Sequence, residues 1–215
     1  MTPALSSPPV ALSSHCAGSV RYYAAAVQAG AVAIDDCQTR LPLRHSHHRY
    51  VIDGPNGAQQ LTVPIVASTT TLSTPLRDVR IAEHGNWRRL HWGALFSAYG
   101  RSPYFDYIAA ELEPIIMGRQ TFLLDLNMAI HHLVVDFMDL PLHTTLLSAL
   151  PAAPAGDLDW RAATSLRHGD GLGVHDVPYY QVWNARYGFR PAMSILDMAM
   201  NLGREGILTL KEMAL

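Results

Sequence analysis

The sequence predicts an α/β protein: one domain with a mixed, mostly parallel sheet, helices packed on that sheet, and a helix-rich second half. Three observations predict it. The wholly apolar segment AVAI at 31–34 follows an alanine-rich helical pattern and runs straight into Asp35 and Asp36, as a strand covered on both faces would. Two β-branched runs flank the turn-forming Asp53-Gly54-Pro55-Asn56-Gly57, which reads as a hairpin added to that sheet. Three long helical patterns then follow in succession from Trp87 to about Asp139. With 215 residues, 49% of them apolar and 16% charged, the chain suits a single domain over 1–215.

Each element carries its own local signal. Residues 1–11 read as a loose tail rich in proline and serine, with Val10, Ala11 and Leu12 as a candidate first strand. Gly18 and Ser19 open the helix VRYYAAAVQA, and Gly30 closes it. RYVI and QLTVPIV are the hairpin strands, STTTLSTP at 68–75 is a polar and mobile loop, and DVRI at 78–81 is a short strand. Asn86 caps WRRLHWGALFSAY, which ends at Gly100; Ser102 and Pro103 open YFDYIAAELEPIIM; and TFLLDLNMAIHHLVVDFM is the third helix. Residues 151–159 form an internal loop, PYYQVW is a strand, and AMSILDMAMNL is a helix stopped by Gly203.

Composition excludes several functional classes. A net charge of −2 gives no field to hold a polyanion, so nucleic acid is not an expected partner. Lys211 is the single lysine, which leaves little room for Schiff-base chemistry. Cys16 and Cys37 alone make no disulfide framework, and no run of about 18 apolar residues occurs; a cytoplasmic protein without a membrane span is expected. Phosphate loop, Gly-x-Gly-x-x-Gly turn and nucleophile elbow are all absent.

Four groups of residues are candidates for chemistry. Asp35 and Asp36 stand where a buried strand emerges, the place where open α/β sheets bind ligands; the alternative is a solvated strand end. His45 and His47 alternate to one side of an extended chain, within reach of a shared divalent metal, although the cluster also fits a polar loop. His91 lies on the apolar stripe of its helix, so a hydrogen-bonded core histidine stands ahead of a catalytic base. Ser194, Asp197 and Asn201 run as a polar line down an otherwise apolar helix, which requires a hydrogen-bonded network or a ligand wall.

Six blocks in order carry a family resemblance: AGSVRYYAAAVQAGAVAIDDCQ, YVIDGPNGAQQLTVPIV, TPLRDVRI, WRRLHWGALFSAYGRSPYFDYI, FLLDLN and YYQVWNARYGFRPAMSILDMAMNLGREG. Together they resemble the WbqC-like protein family. The resemblance implies a bacterial protein of O-antigen and other surface-polysaccharide gene clusters, with a link to transfer of glycine onto a sugar. The stretch after Asp36 departs from relatives: CQTRLPLRHSHHR stands where they are rich in Lys, Tyr, Arg and Asn, and Arg49 keeps one of the family arginines.

The leading reading is a cytosolic transferase or accessory enzyme of glycan assembly, acting on a nucleotide-sugar or aminoacyl donor. Asp35, Asp36 and His91 are its catalytic candidates, and Arg49 is its anion clamp. Tyr22, Trp92, Tyr99, Ser102, Tyr104, Asp125, Asn127, Gln181, Ser194, Asp197 and Asn201, all within the blocks above, are the substrate-binding candidates. A non-catalytic scaffold for glycan-assembly proteins is one alternative. A hydrolase using His45, His47 and a carboxylate around a divalent metal is the other.

Overall fold

The computed structural model describes residues 8–39, 47–67, 74–164 and 172–214. In chain order the strands are β1 (Val10–Ser13), β2 (Ala31–Asp35), β3 (Arg49–Gly54), β4 (Gly57–Thr62) and β5 (His143–Leu146). The helices are α1 (Val20–Ala29), α2 (Trp87–Tyr99), α3 (Phe105–Met117), α4 (Leu123–Phe137), α5 (Arg161–Thr164), α6 (Asn184–Tyr187), α7 (Ile195–Leu202) and α8 (Gly206–Met213). The α/β class is as the sequence predicts.

The mixed sheet is realised as two separate sheets. β1, β2 and β5 form a parallel sheet with β2 in the centre, while β3 and β4 pair antiparallel by themselves. The hairpin turn is tighter than expected. β3 runs to Gly54 and β4 starts at Gly57, whose φ of 97° suits only glycine.

The parallel sheet begins with Val10 and Ala11, which are buried strand residues and not part of a loose tail; residues 1–7 lie outside the described residues. Val10, Leu12, Val32 and Ile34 face the main core, whereas Ala11 and Ala33 turn the other way, onto Leu147 and Leu150. Small side chains on that face let the turn after β5 sit close to the sheet. The 151–159 loop joins the sheet at its end: Asp159 makes a parallel bridge to Ala11, and the Trp160 N–H donates to the Ala11 carbonyl at 2.9 Å.

α1 follows its local signals closely. The Ser19 side chain accepts from the Tyr22 N–H, and Gly30 closes the helix in the left-handed region. Asn86 does precede α2, but with φ 55° and no side-chain bond to the helix. α3 starts at Phe105, because the Ser102 hydroxyl donates to the Tyr99 carbonyl and closes a turn there instead. DVRI forms isolated bridges, Arg80 to Phe122 and Ile81 to Ile65, rather than a strand. PYYQVW is no strand either. The Gln181 side chain replaces a ladder partner, accepting from the Arg190 N–H at 2.9 Å and donating to the Arg190 carbonyl at 3.0 Å. β5 and α8 were not anticipated. The mobility expected of 68–75 concerns mostly residues 68–73, which lie outside the described residues.

α7 is the buried centre of the helical layer. Residues 195–201 are all buried, and the helix packs against α1, α2, α3, α4, α8 and β3. One contiguous apolar cluster runs from Val10 to Met213.

Candidate active site at the carboxyl ends of the parallel strands

β2 ends at Asp35, and Asp36 follows in the bend beyond it, so that the two carboxylates find different partners. Asp35 lines a cleft of about 540 Å³ together with Cys37, Gln38, Thr39, Leu147, Asp159, Arg161 and Ala162. Its Oδ1 accepts the Cys37 N–H at 2.9 Å, and its Oδ2 accepts from Arg161 Nη1 at 2.9 Å. Arg161 also donates to both oxygens of Asp159, from Nε at 2.8 Å and from Nη2 at 2.6 Å. One guanidinium thus joins two carboxylates on the cleft wall. The hydrogen bonds from Arg161 hold the Asp159 carboxyl below its ordinary value despite partial burial.

Asp36 points away from this lining. Its Oδ1 accepts the Ser148 N–H at 3.0 Å, which ties the exit of β2 to the turn after β5. Arg77 Nη1 lies 3.7 Å from Asp36 Oδ2 and 3.2 Å from Cys37 Sγ. The Arg77 backbone is pinned at the same place, its N–H donating to the Asp36 carbonyl at 3.1 Å while Leu76 N–H reaches the Gln38 carbonyl at 3.1 Å. Burial pushes the Asp36 carboxyl up, but the bonds from Ser148 outweigh it, so the group sits below its usual value and is ionised at neutral pH. Burial and the charge of Asp36 push the Cys37 thiol up instead. That thiol is not primed as a thiolate.

A second polar group gathers beside the end of β1. Tyr22 OH donates to the Ser13 carbonyl at 3.1 Å. Asn127 Nδ2 donates to Ser14 Oγ at 3.1 Å and to the His47 carbonyl at 2.9 Å. His47 Nδ1 donates to the Ser14 carbonyl at 2.7 Å and lies close enough to Asp35 to feel its charge. Burial lowers the His47 pKa more than these two neighbours raise it. His47 is thus a buried residue on the Ser14 carbonyl, and the structure does not show the histidine pair expected for a metal. His45 lies outside the described residues, and among the described residues no three His, Cys, Asp or Glu side chains are grouped to hold a metal ion.

Other predicted residues fall elsewhere. His91 is buried between the hairpin and α2, donating from Nε2 to the Thr62 carbonyl at 3.1 Å, while Tyr50 OH donates to its Nδ1 at 3.2 Å. Burial pushes its pKa down to about 4, the state of a core histidine. It is not among the cleft-lining residues, so the structure does not bring this catalytic candidate to Asp35. Trp92 stacks on Phe105, Ser102 closes a turn, and the Tyr104 ring covers Gly203. Asp125 is exposed on α4, and Arg49 begins β3 outside the cleft lining. Tyr99, Gln181, Asp197 and Asn201 form a separate buried network, and Ser194 caps α7.

Sequence reasoning missed Arg77, Asp159 and Arg161. Arg77 sits in the block TPLRDVRI, a signal that was present but unassigned, whereas Arg161 reaches Asp35 across 126 positions with nothing local to announce it.

No curated protein and no solved structure matches the chain. The WbqC-like protein family matches residues 25–169, a span that takes in Asp35, Asp36, Cys37, Arg77, Asp159 and Arg161 and leaves out Gln181, Asp197 and Asn201. All the residues that line the cleft fall within the matched span, and the chain belongs to the WbqC-like protein family.

Proposed function

We propose that the protein is a transferase, or an accessory enzyme of one, in bacterial surface-polysaccharide assembly, working at the Asp35 cleft on a sugar or aminoacyl donor. The observation that carries this reading is the position of the cleft. It lies at the carboxyl end of the central parallel strand, inside the family-matched span, with the Asp35 and Asp159 carboxylates, the Arg161 guanidinium and room for a small substrate. In the transfer step the acceptor's hydroxyl or amine bonds to the donor carbon and gives its proton to Asp35, while the leaving group departs with the donor's electron pair. Arg161, on the cleft wall, offsets the charge of that leaving group in place of Arg49, which lies outside the lining. Asp36 serves as a positioning residue that fixes the loop after β2.

The test is a thermal-shift panel of nucleotide-sugars and aminoacyl donors on the intact chain. At least one donor class raises Tm, and Asp35→Asn abolishes the shift without lowering the Tm of the unliganded protein by the same amount. A broad panel that leaves Tm unchanged sinks the reading.

One observation favours a binding protein without turnover. Asp35 is engaged by the Cys37 N–H and Arg161, and Asp36 by Ser148, so both carboxylates rest with donors in place. Measured turnover with the shifting donor excludes that alternative; co-purification with a glycosyltransferase and no turnover supports it.

A further inference from the structure

Apart from the cleft, four segments meet on a buried acidic network. Asp53 of β3 and Asp197 of α7 are both 0% exposed. Asp197 Oδ2 accepts from Tyr179 OH at 2.6 Å and from Gln181 Nε2 at 2.9 Å, while Asn201 Nδ2 lies 3.3 Å from Oδ1. Tyr99 of α2 accepts the Asp53 N–H at 3.0 Å and hydrogen-bonds Asp197 as well. Arg190 is the paired cation, its Nε 3.2 Å from Asp53 Oδ1.

The network is not balanced. Neither side-chain oxygen of Asp53, nor Oδ1 of Asn201, nor Nε of Arg190 makes a hydrogen bond of good geometry, although all are shielded from solvent. Such groups are rare in folded interiors because each has lost its water without replacement. Asp197 feels the charge of Asp53, and the Arg190 guanidinium pairs with Asp53 alone, so two buried carboxylates with one cation leave a surplus negative charge where the dielectric is low. A proton removes that charge and needs no cavity.

We propose that Asp53 and Asp197 form a proton-operated lock, in which one proton held by the pair keeps the β3–β4 hairpin fastened to α7 and its loss loosens the hairpin. The contacts that would transmit this are in place. Ser194, the cap of α7, donates its N–H to the Val51 carbonyl at 2.8 Å, and Arg186 and Tyr187 both donate to the Pro55 carbonyl at the hairpin turn. At its other end β3 starts two residues after His47, which is bonded to Ser14 beside the cleft.

Burial pushes the Asp197 carboxyl up to about 6 and raises Asp53, which Arg190 pulls back only in part. Among the described residues, the charged and titratable groups facing the pair are Arg190, Tyr99 and Tyr179. His91 touches the same hairpin at Thr62 and Tyr50, and its effect has the opposite sign, because its pKa is lowered to about 4. For a carboxyl raised by folding, the stabilisation is complete below its ordinary 3.8 and is lost as pH rises through about 6.

Hydrogen exchange of the Tyr50, Val51, Ile52 and Leu61 amides, corrected for intrinsic pH dependence, tests the lock in the full chain. Comparing wild type with Asp197→Asn isolates the carboxyl from His91. Wild-type protection relative to the variant falls by about tenfold between about pH 5 and about pH 7. Tyr179→Phe removes a donor to the ionised form and moves the midpoint upward. Parallel profiles for wild type and Asp197→Asn overturn the proposal. Should Asp197→Asn not fold, a Tyr179→Phe midpoint that stays put or moves down overturns it equally.

Discussion

Asp35 is the last residue of β2 and Asp36 the first beyond it, and the two carboxylates have different partners. Asp35 stands on the cleft wall with Arg161, while Asp36 braces the loop through the Ser148 N–H. Removing Arg161 would leave Asp35 buried with the Cys37 N–H as its remaining donor and would release Asp159 as well. The Arg161 side chain is 33% exposed, so solvent screens the pair, and Arg161→Ala is expected to cost about 1–3 kcal/mol in urea unfolding. Asp35→Asn in the same background should recover part of that loss; a strictly additive double-mutant cycle would show the two side chains to be uncoupled.

At the level of elements, ends set by local chemistry were legible and ends set by neighbours were not. Ser19 and Gly30 bracket α1 as read, because a cap and a left-handed glycine act within one turn of chain. β5 has four residues, none of them fully buried, and exists as a strand because Ala31–Ile34 lies beside it. The α7 to α8 junction depends on Gly203, where φ is 55° and an added Cβ would fall 2.7 Å from the Tyr104 ring. Gly203→Ala should therefore destabilise by about 1–3 kcal/mol through both strain and overlap. Pairing it with Tyr104→Ala relieves only the overlap, so the double variant should fall short of the sum of the single losses in chemical denaturation.

For the whole molecule, opposing titrations shape the pH dependence of stability. His91 and His131 are pushed by burial to about 4, so the stability they confer is complete above their ordinary 6.5 and is lost as pH falls toward 4. Asp36 and Asp159 have lowered pKa values, and their contribution disappears as pH falls below 3.8. Asp197 works in the other direction, its contribution fading as pH rises through about 6. The unfolding free energy of Asp197→Asn relative to wild type should thus climb between about pH 4 and about pH 7, by on the order of 2 kcal/mol. Urea titrations across that range measure it, and a flat difference would mean that Asp197 does not hold its proton in the fold. Among the described residues no helix is long and apolar enough to cross a membrane.

By itself the sequence determined the α/β class, the caps of α1, the apolar strand ending in Asp35 and Asp36, and the polar line of α7, since each rests on neighbours within a few positions. Only the tertiary structure decided that Arg161 faces Asp35, that His91, read from its apolar stripe as a core residue, bonds the Thr62 carbonyl, and that Asp197 feels the charge of Asp53. Those pairings join chain segments 126, 29 and 144 positions apart. Close packing, not local preference, selects such partners. The two carboxylates at the end of β2 were visible from the start; that Asp35 lines the cleft, beside an arginine 126 positions away, was decided by the tertiary structure.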